Sequence, residues 1–292
     1  MANPHAALKP GNTAVVTGAA AGGIGFAVAQ LLLQRFSMHV VLADISRAGL
    51  EAASDALIKA GVKEKDFAVR VTDVTKSDDV EQLANEVYEA KGKVDFVLLN
   101  AGVQMPSKSY GGELAAWHKT LEVNLGGVVN GQQAFVERMV AQGSPAAVVV
   151  TGSKQGITNP PGNPAYNASK AAVKSLTEGL AHALLDTQVS AHLLVPGWTW
   201  TKLAGGGPDP DSKEKPNGPW TAVQVAEELL ARLDEFYIIC DDNDVTFPLD
   251  CARMQYNLDD ILLQRPALSR WNPAYAEQYK QYVEQQLGGQ KK

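Results

Sequence analysis

Thr13-Ala-Val-Val-Thr17-Gly18-Ala-Ala-Ala-Gly22-Gly23-Ile24-Gly25 is the stretch on which the fold turns. Its first five residues read as a short strand, and the glycines that follow open a helix expected to run to about Gln34. Glycines let a backbone approach a pyrophosphate, and a helix N-terminus presents N–H groups and a positive dipole end to it. Glycine-rich turns are common and the spacing is not G-x-G-x-x-G, so the loop alone is a weak signal. A second strand, His39 to Ala43, closed by Asp44, strengthens it. Asp44 lies roughly twenty residues beyond the glycines, where a carboxylate can accept hydrogen bonds from adenosine ribose hydroxyls. Its alternative role is a helix N-cap for the next segment. Further strands are expected near residues 67, 94, 146 and 189, with a seventh at Phe236 to Cys240, and helical stretches alternate with them. That alternation predicts an α/β fold, a Rossmann-type doubly wound parallel sheet flanked by helices on both faces.

A second constellation lies in the middle of the chain. Tyr166 to Ala172 is free of Gly and Pro and continues in an amphipathic pattern to Leu185, which predicts a helix with Tyr166 near its start. Residues four apart share a helix face, so the Lys170 ammonium is expected close to the Tyr166 phenol. A phenol ionises near pH 10, and a neighbouring cation favours the phenolate, so the pair is expected to exchange protons at neutral pH. A Tyr and a Lys at this spacing are more often a surface pair; the company they keep decides. Ser153 follows the apolar run Ala146 to Thr151 and Gly152, which places a hydroxyl at the carboxyl end of a buried strand, where open α/β sheets hold their ligands. Asn124 is expected inside a helix, an unfavourable position for Asn unless its side chain has work there, catalytic or structural.

Taken together these residues resemble the short-chain dehydrogenase/reductase family over about Asn12 to Val195, and more loosely to Cys240. The elements occur in the family's order: the glycine loop, Asp73-Val74, Asn100-Ala101-Gly102, Asn124, Ser153, Tyr166-x-x-x-Lys170 and Pro196-Gly197. One departure is visible, because the family's loop is T-G-x-x-x-G-x-G and this chain has one residue more before its last glycine. The resemblance implies that Tyr166 is the general acid or base and that Ser153 holds the substrate oxygen. It also implies that Lys170 tunes Tyr166 and binds the nicotinamide ribose, and that Asn124 holds a water relaying protons from Lys170. Gly18, Gly22, Gly23, Ile24 and Gly25 would meet the pyrophosphate, Asp44 the ribose, and Asp73 and Val74 the adenine. Asn100, Ala101 and Gly102 would line the cofactor cleft, and Pro196, Gly197 and Thr199 would contact the nicotinamide end. Thr199 has an alternative as a loop hydroxyl bonded to its own backbone. Asp44 would repel the 2′-phosphate of NADP and the loop carries no basic residue, so NAD is the expected cofactor; Arg47 keeps NADP in play. The resemblance further implies a homodimer or homotetramer.

Composition suits one sizeable α/β domain spanning residues 1–292: the chain is 45% hydrophobic and 20% charged. A net charge of -6 without a basic cluster argues against nucleic acid or an anionic membrane as partner. No apolar run is long enough for a transmembrane helix, and Met1 to Pro10 lacks a signal peptide's apolar core. Two cysteines, Cys240 and Cys251, form no metal spacing and suggest a reducing, cytoplasmic setting. No metal site and no catalytic histidine is expected. The irregular segment within 196–220, rich in Gly and Pro, is expected to act as a substrate lid. Trp198, Trp200 and Trp220 flank it, either as a wall for an apolar or aromatic substrate or as anchors to the core. The extension 241–292 carries a helix near Arg253 to Leu263, then Trp271, Tyr275, Tyr279 and Tyr282 at helical spacing, a pattern of packing or a subunit interface. The leading functional reading is an NAD(P)-dependent dehydrogenase or carbonyl reductase acting on a small secondary alcohol or ketone. A non-redox enzyme on the same scaffold (isomerase, cyclase or lyase) and a non-catalytic dinucleotide sensor are the alternatives, and net hydride transfer separates them from it.

Overall fold

A computed structural model of the chain describes residues 5–204 and 214–288. The first half alternates β1 (Thr13–Thr17), α1 (Ile24–Phe36), β2 (His39–Asp44), α2 (Arg47–Lys59), β3 (Phe67–Val71), α3 (Ser77–Lys91) and β4 (Phe96–Leu99). Then come α4 (Leu114–Leu121), a π-helical turn (Glu122–Gly126), α5 (Gly127–Ala141), β5 (Ala146–Thr151), the short α6 (Gln155–Thr158), α7 (Pro164–Ala183) and β6 (Val189–Val195). The chain continues with β7 (Thr199–Trp200), β8 (Trp220–Thr221), α8 (Ala222–Ala231), β9 (Tyr237–Ile239), α9 (Phe247–Leu262) and α10 (Ala276–Gly288).

Seven strands form one parallel sheet in the order β3-β2-β1-β4-β5-β6-β9. This is the expected doubly wound sheet, with the seventh strand where Phe236 to Cys240 was read. Central strands β1, β4 and β5 are buried along their whole length, as a sheet covered on both faces requires. One apolar cluster packs α1, α2 and α8 against one face, and a second packs α3, α5 and α7 against the other. Strand order reverses at β1, between β2 and β4, so the crevice for a ligand opens at the carboxyl ends of these three strands.

Several boundaries differ from expectation for local reasons. α9 begins six residues before Arg253, with Thr246 as N-cap and Pro248 in the first turn, a start signal hidden among aspartates. The aromatic stripe is not one helix: Trp271 and Tyr275 lie in 3₁₀ turns, and Tyr279 and Tyr282 sit on α10. Both α10 rings pack on Tyr256 of α9 with centroids 5.0 Å away, which joins the two helices of the extension. In the expected lid, β7 pairs with β8, and residues 205–213, with Gly205 to Gly207, Pro208 and Pro210, lie outside the described residues. Among the described residues no helix is long and apolar enough to cross a membrane, and no His, Cys, Asp or Glu cluster suits a metal.

Candidate active site

The glycine loop turns at the end of β1, where Gly18 has φ of 64° and Gly22 of 84°, a region that favours glycine. A Cβ on Gly18 would sit 2.8 Å from the Ala101 Cα, and one on Gly25 would strike the Gly18 carbonyl, so neither position has room for a side chain. The longer loop is held by backbone bonds: Ala19 N–H to the Ala43 carbonyl at 3.2 Å and Ala21 N–H to the Gly49 carbonyl at 3.1 Å. The Ala20 N–H donates to Asp44 Oδ2 at 3.0 Å, and the other oxygen of Asp44 accepts from the Ser46 N–H at 2.9 Å. Asp44 therefore braces the loop, and Ser46, accepting from the Gly49 N–H at 3.1 Å, is the N-cap of α2.

Asn100, at the end of β4, is the junction of the crevice. Its Nδ2 donates to the carbonyls of Thr17 at 3.2 Å and Gly18 at 3.1 Å, while Oδ1 accepts from the Thr151 hydroxyl at 3.1 Å. The Thr17 hydroxyl accepts from the Asn100 and Ala101 N–H groups at 2.9 and 3.2 Å. Asn100 thus ties β1 to β5 through its side chain. Just beyond β3, Asp73 accepts from the Thr75 hydroxyl at 2.7 Å and its N–H at 3.1 Å. Burial pushes the Asp73 carboxyl up, and these two bonds together with the charges of Lys119 and Lys76 more than reverse it, leaving it below its ordinary value. Val74 is buried against α5.

Tyr166 and Lys170 project from one face of α7, whose first turn carries Pro164. The Lys170 Nζ lies 5.7 Å from the Tyr166 ring centroid and donates to the Thr151 carbonyl at 2.7 Å. Ser153 leaves β5 after Gly152 and hydrogen-bonds Tyr166; its Oγ also accepts from the Gln155 N–H at 3.1 Å. Asn124 is fully buried in the π-helical turn. Its Oδ1 accepts from the Val103 N–H at 2.8 Å, and its Nδ2 donates to the Val103 carbonyl and to Ser169 Oγ, both at 3.0 Å. The side chain of Asn124 is therefore engaged in fastening the segment after β4 to α7.

The electrostatics differ from the expected tuning. Burial pushes the Tyr166 phenol up, and the bond with Ser153 offsets only part of that. Burial also lowers the Lys170 ammonium to about 8. In this state the desolvation of both groups outweighs the attraction of the cation for the phenolate.

A cleft of about 800 Å³ joins these residues. Gly18, Gly23, Ile24, Asp44, Asp73, Val74, Asn100, Ala101, Gly102, Ser153, Tyr166, Lys170, Pro196, Gly197 and Thr199 line it, whereas Gly22, Gly25 and Asn124 stand behind the wall. The Thr199 hydroxyl donates to the Gly197 carbonyl at 3.2 Å, the backbone-bonded alternative. The tryptophans divide: Trp198 lines the cleft, and Trp220 packs on the core. A dinucleotide fits these residues, since glycines clear the backbone at the N-terminus of α1 and the crevice runs from Asp44 to Tyr166 along the strand ends.

Lys154 was not anticipated. It lines the same cleft, yet its ammonium lies 2.5 Å from Asp250 Oδ2 and 3.4 Å from Asp242 Oδ2, in a nearly solvent-free group. No spacing rule joins residues 88 and 96 positions apart, and the only sequence signal was a lysine directly after Ser153.

A doubly wound parallel sheet with a crevice at its switch point, lined by Ser153, Tyr166 and Lys170, defines a protein of the Rossmann-type class. The family model described as short chain dehydrogenase matches residues 12–209. The chain belongs to that family, whose members are oxidoreductases. It is 30% identical over 212 residues to 3beta-hydroxysteroid dehydrogenase 2 of Eggerthella lenta, covering 72% of this chain and 79% of the relative. Among solved structures, a short chain dehydrogenase/reductase from Burkholderia phymatum in complex with NAD superposes with a TM-score of 0.77 at 31% identity, covering 88% of this chain and 96% of the other. An alcohol dehydrogenase from Thermococcus sibiricus complexed with 5-hydroxy-NADP gives a TM-score of 0.66 at 28% identity, covering 77% and 91%.

Proposed function

We propose that this protein interconverts a secondary alcohol and a ketone with NAD(P), Tyr166 serving as general acid in reduction and general base in oxidation. The observation that carries the reading is the convergence of Ser153, Tyr166 and Lys170 on the cleft that the glycine loop and Asp44 share. Gly18, Gly22, Gly23, Ile24 and Gly25 would hold the pyrophosphate, Asp44 the adenosine ribose, and Asp73 and Val74 the adenine. Asn100, Ala101 and Gly102 would line the middle, Lys170 and Tyr166 the nicotinamide ribose, and Pro196, Gly197 and Thr199 the far end. When bound, the nicotinamide supplies or takes the hydride.

The chain's own residues manage the proton. Ser153 donates to the substrate oxygen and strengthens that bond as negative charge develops. The Tyr166 hydroxyl gives its proton to the same oxygen, and Lys170, held at the Thr151 carbonyl, replenishes it. Asn124 keeps the lysine's surroundings in place through its bonds to Val103 and Ser169, and the relaying water that the family implies would be held beside it. Asp44, braced against Ala20 and Ser46, favours NAD over NADP, since a fixed carboxylate repels a 2′-phosphate.

Trp198 and Leu203 give the substrate end an apolar wall, and the named activity of the steroid dehydrogenase relative supports bulky alicyclic secondary alcohols as first substrates. The test is a panel of such alcohols and ketones with NAD and NADP, followed at the nicotinamide absorbance band. Tyr166→Phe should remove turnover and leave NADH affinity nearly intact; an equal loss of affinity would make Tyr166 a structural residue. Asp44→Ala should weaken NAD more than NADP, and equal weakening would overturn the cofactor preference. A homodimer or homotetramer, as the family implies, is read by light scattering.

A further inference from the structure

We propose that Lys154, clamped by Asp242 and Asp250, is a positioning residue for Ser153 and the Pro196–Gly197 turn, so that the first turn of α9 completes the active site. The proposal rests on the alcohol–ketone reading above.

Three elements meet at this lysine. Lys154 follows Ser153 directly, so its backbone cannot move without carrying the Ser153 hydroxyl, and its N–H donates to the Pro196 carbonyl at 3.2 Å. Its ammonium reaches Asp250 on α9 and Asp242 just after β9, whose side chains are 2% and 8% exposed. Gly197 closes on the same group: a Cβ there would collide with Asp242 Oδ2 and lie 3.1 Å from the Lys154 Cε and Nζ. One ammonium therefore sets the distance between the substrate-oxygen residue and the nicotinamide turn.

The clamp is stiff for a physical reason. Charges withdrawn from water are held to one geometry, because parting them leaves a buried charge uncompensated. The Arg253 guanidinium, 4.0 Å from Asp250 Oδ1, adds a second cation to the same carboxylate. α9 is also bonded to the helix that follows Ser153, through Asn257 Nδ2 to the Ile157 carbonyl at 3.3 Å. With its ammonium so engaged, Lys154 does not recognise substrate by charge; it acts through Ser153.

Asp250→Asn keeps the shape and removes the charge. In the full-length variant kcat should fall about tenfold while KM and NADH affinity stay within about twofold, the split expected of a displaced reacting group. Deuterium exchange should quicken over 153–158 and 196–200 and stay unchanged in β1, β2 and β4. An unchanged kcat overturns the proposal, and so does exchange that rises across the whole sheet with a matching fall in Tm, since that marks a merely structural pair. A double variant, Lys154→Met with Asp250→Asn, should lose no more kcat than Lys154→Met alone; additive losses refute the clamp. If the wild type turns over no alcohol or ketone, the reaction reading has failed, and the exchange pattern of Asp250→Asn by itself still decides whether α9 holds the Ser153 segment.

Discussion

Lys170 should make this protein less stable than it could be, by an amount that follows from its burial. Burial lowers its ammonium from 10.5 to about 8. Each unit is worth ~1.4 kcal/mol, so at pH 7, where the lysine is charged in both states, its burial costs about 3 kcal/mol. Lys170→Met keeps the length of the stem and removes the charge. It also loses the charge-assisted bond to the Thr151 carbonyl, worth about 1.5–3 kcal/mol, which leaves a net gain of about 1 kcal/mol. For a chain of 292 residues that corresponds to a rise in Tm of roughly 1–2 °C. The sign with pH is fixed. The folded pKa lies below the unfolded one, so the unfolded chain holds the proton more tightly; the cost is full below about pH 8 and fades as pH climbs to 10.5. Urea unfolding of wild type and variant at pH 7, 8.5 and 10 measures the gap directly. A variant less stable than wild type at pH 7, or a gap indifferent to pH, refutes the reasoning. On the proposed chemistry the same variant has no turnover, which would make the active site a place where stability is given up for function.

Two further outcomes follow from packing and charge. Gly25→Ala drives a methyl into the Gly18 carbonyl and should cost about 1–3 kcal/mol with a loss of NADH affinity; wild-type affinity in a titration would show that the loop yields freely. Burial lowers His192 to about 4, so the unfolded chain protonates first, and up to about 3 kcal/mol of stability should drain away as pH falls from 6.5 toward 4. His192→Gln should flatten that decline in acid unfolding curves, and an unaltered slope would assign it to other groups.

What was legible in the sequence were features that repeat along the chain. Strand and helix periodicity gave the sheet, because a fold built of βα units writes each unit as a contiguous run, and the Tyr166–Lys170 pair was readable because one helix turn joins them. What stayed hidden depends on distant partners. The four hydrogen bonds of Asn100 span 51 to 83 positions, so nothing local marked it as the junction between β1 and β5. The Asp242 and Asp250 clamp on Lys154 was invisible for the same reason. Tyr166 taught a different lesson: proximity to a cation could be read, but the depth of burial that opposes it could not, since burial belongs to the whole fold.

The π-helical turn at Glu122–Gly126 has a consequence for how the chain can vary in length. One residue more than an α-helix needs is inserted there, and a helix turns about 100° per residue. A π turn advances less per residue, so it absorbs the extra one with α4 and α5 kept nearly in phase, and deleting any one of these five residues would restore regular winding and displace Asn124 around the helix axis. α5 sits where Gly127 and Gly131 let Val74 and Leu99 press against its backbone, while Asn124 must face Val103 and Ser169. Asn124 cannot keep its partners through such a displacement while α5 keeps its own. Surface loops elsewhere can lengthen and shorten, but this turn is a counting device, and a single-codon deletion within it should leave α5 and Asn124 out of phase.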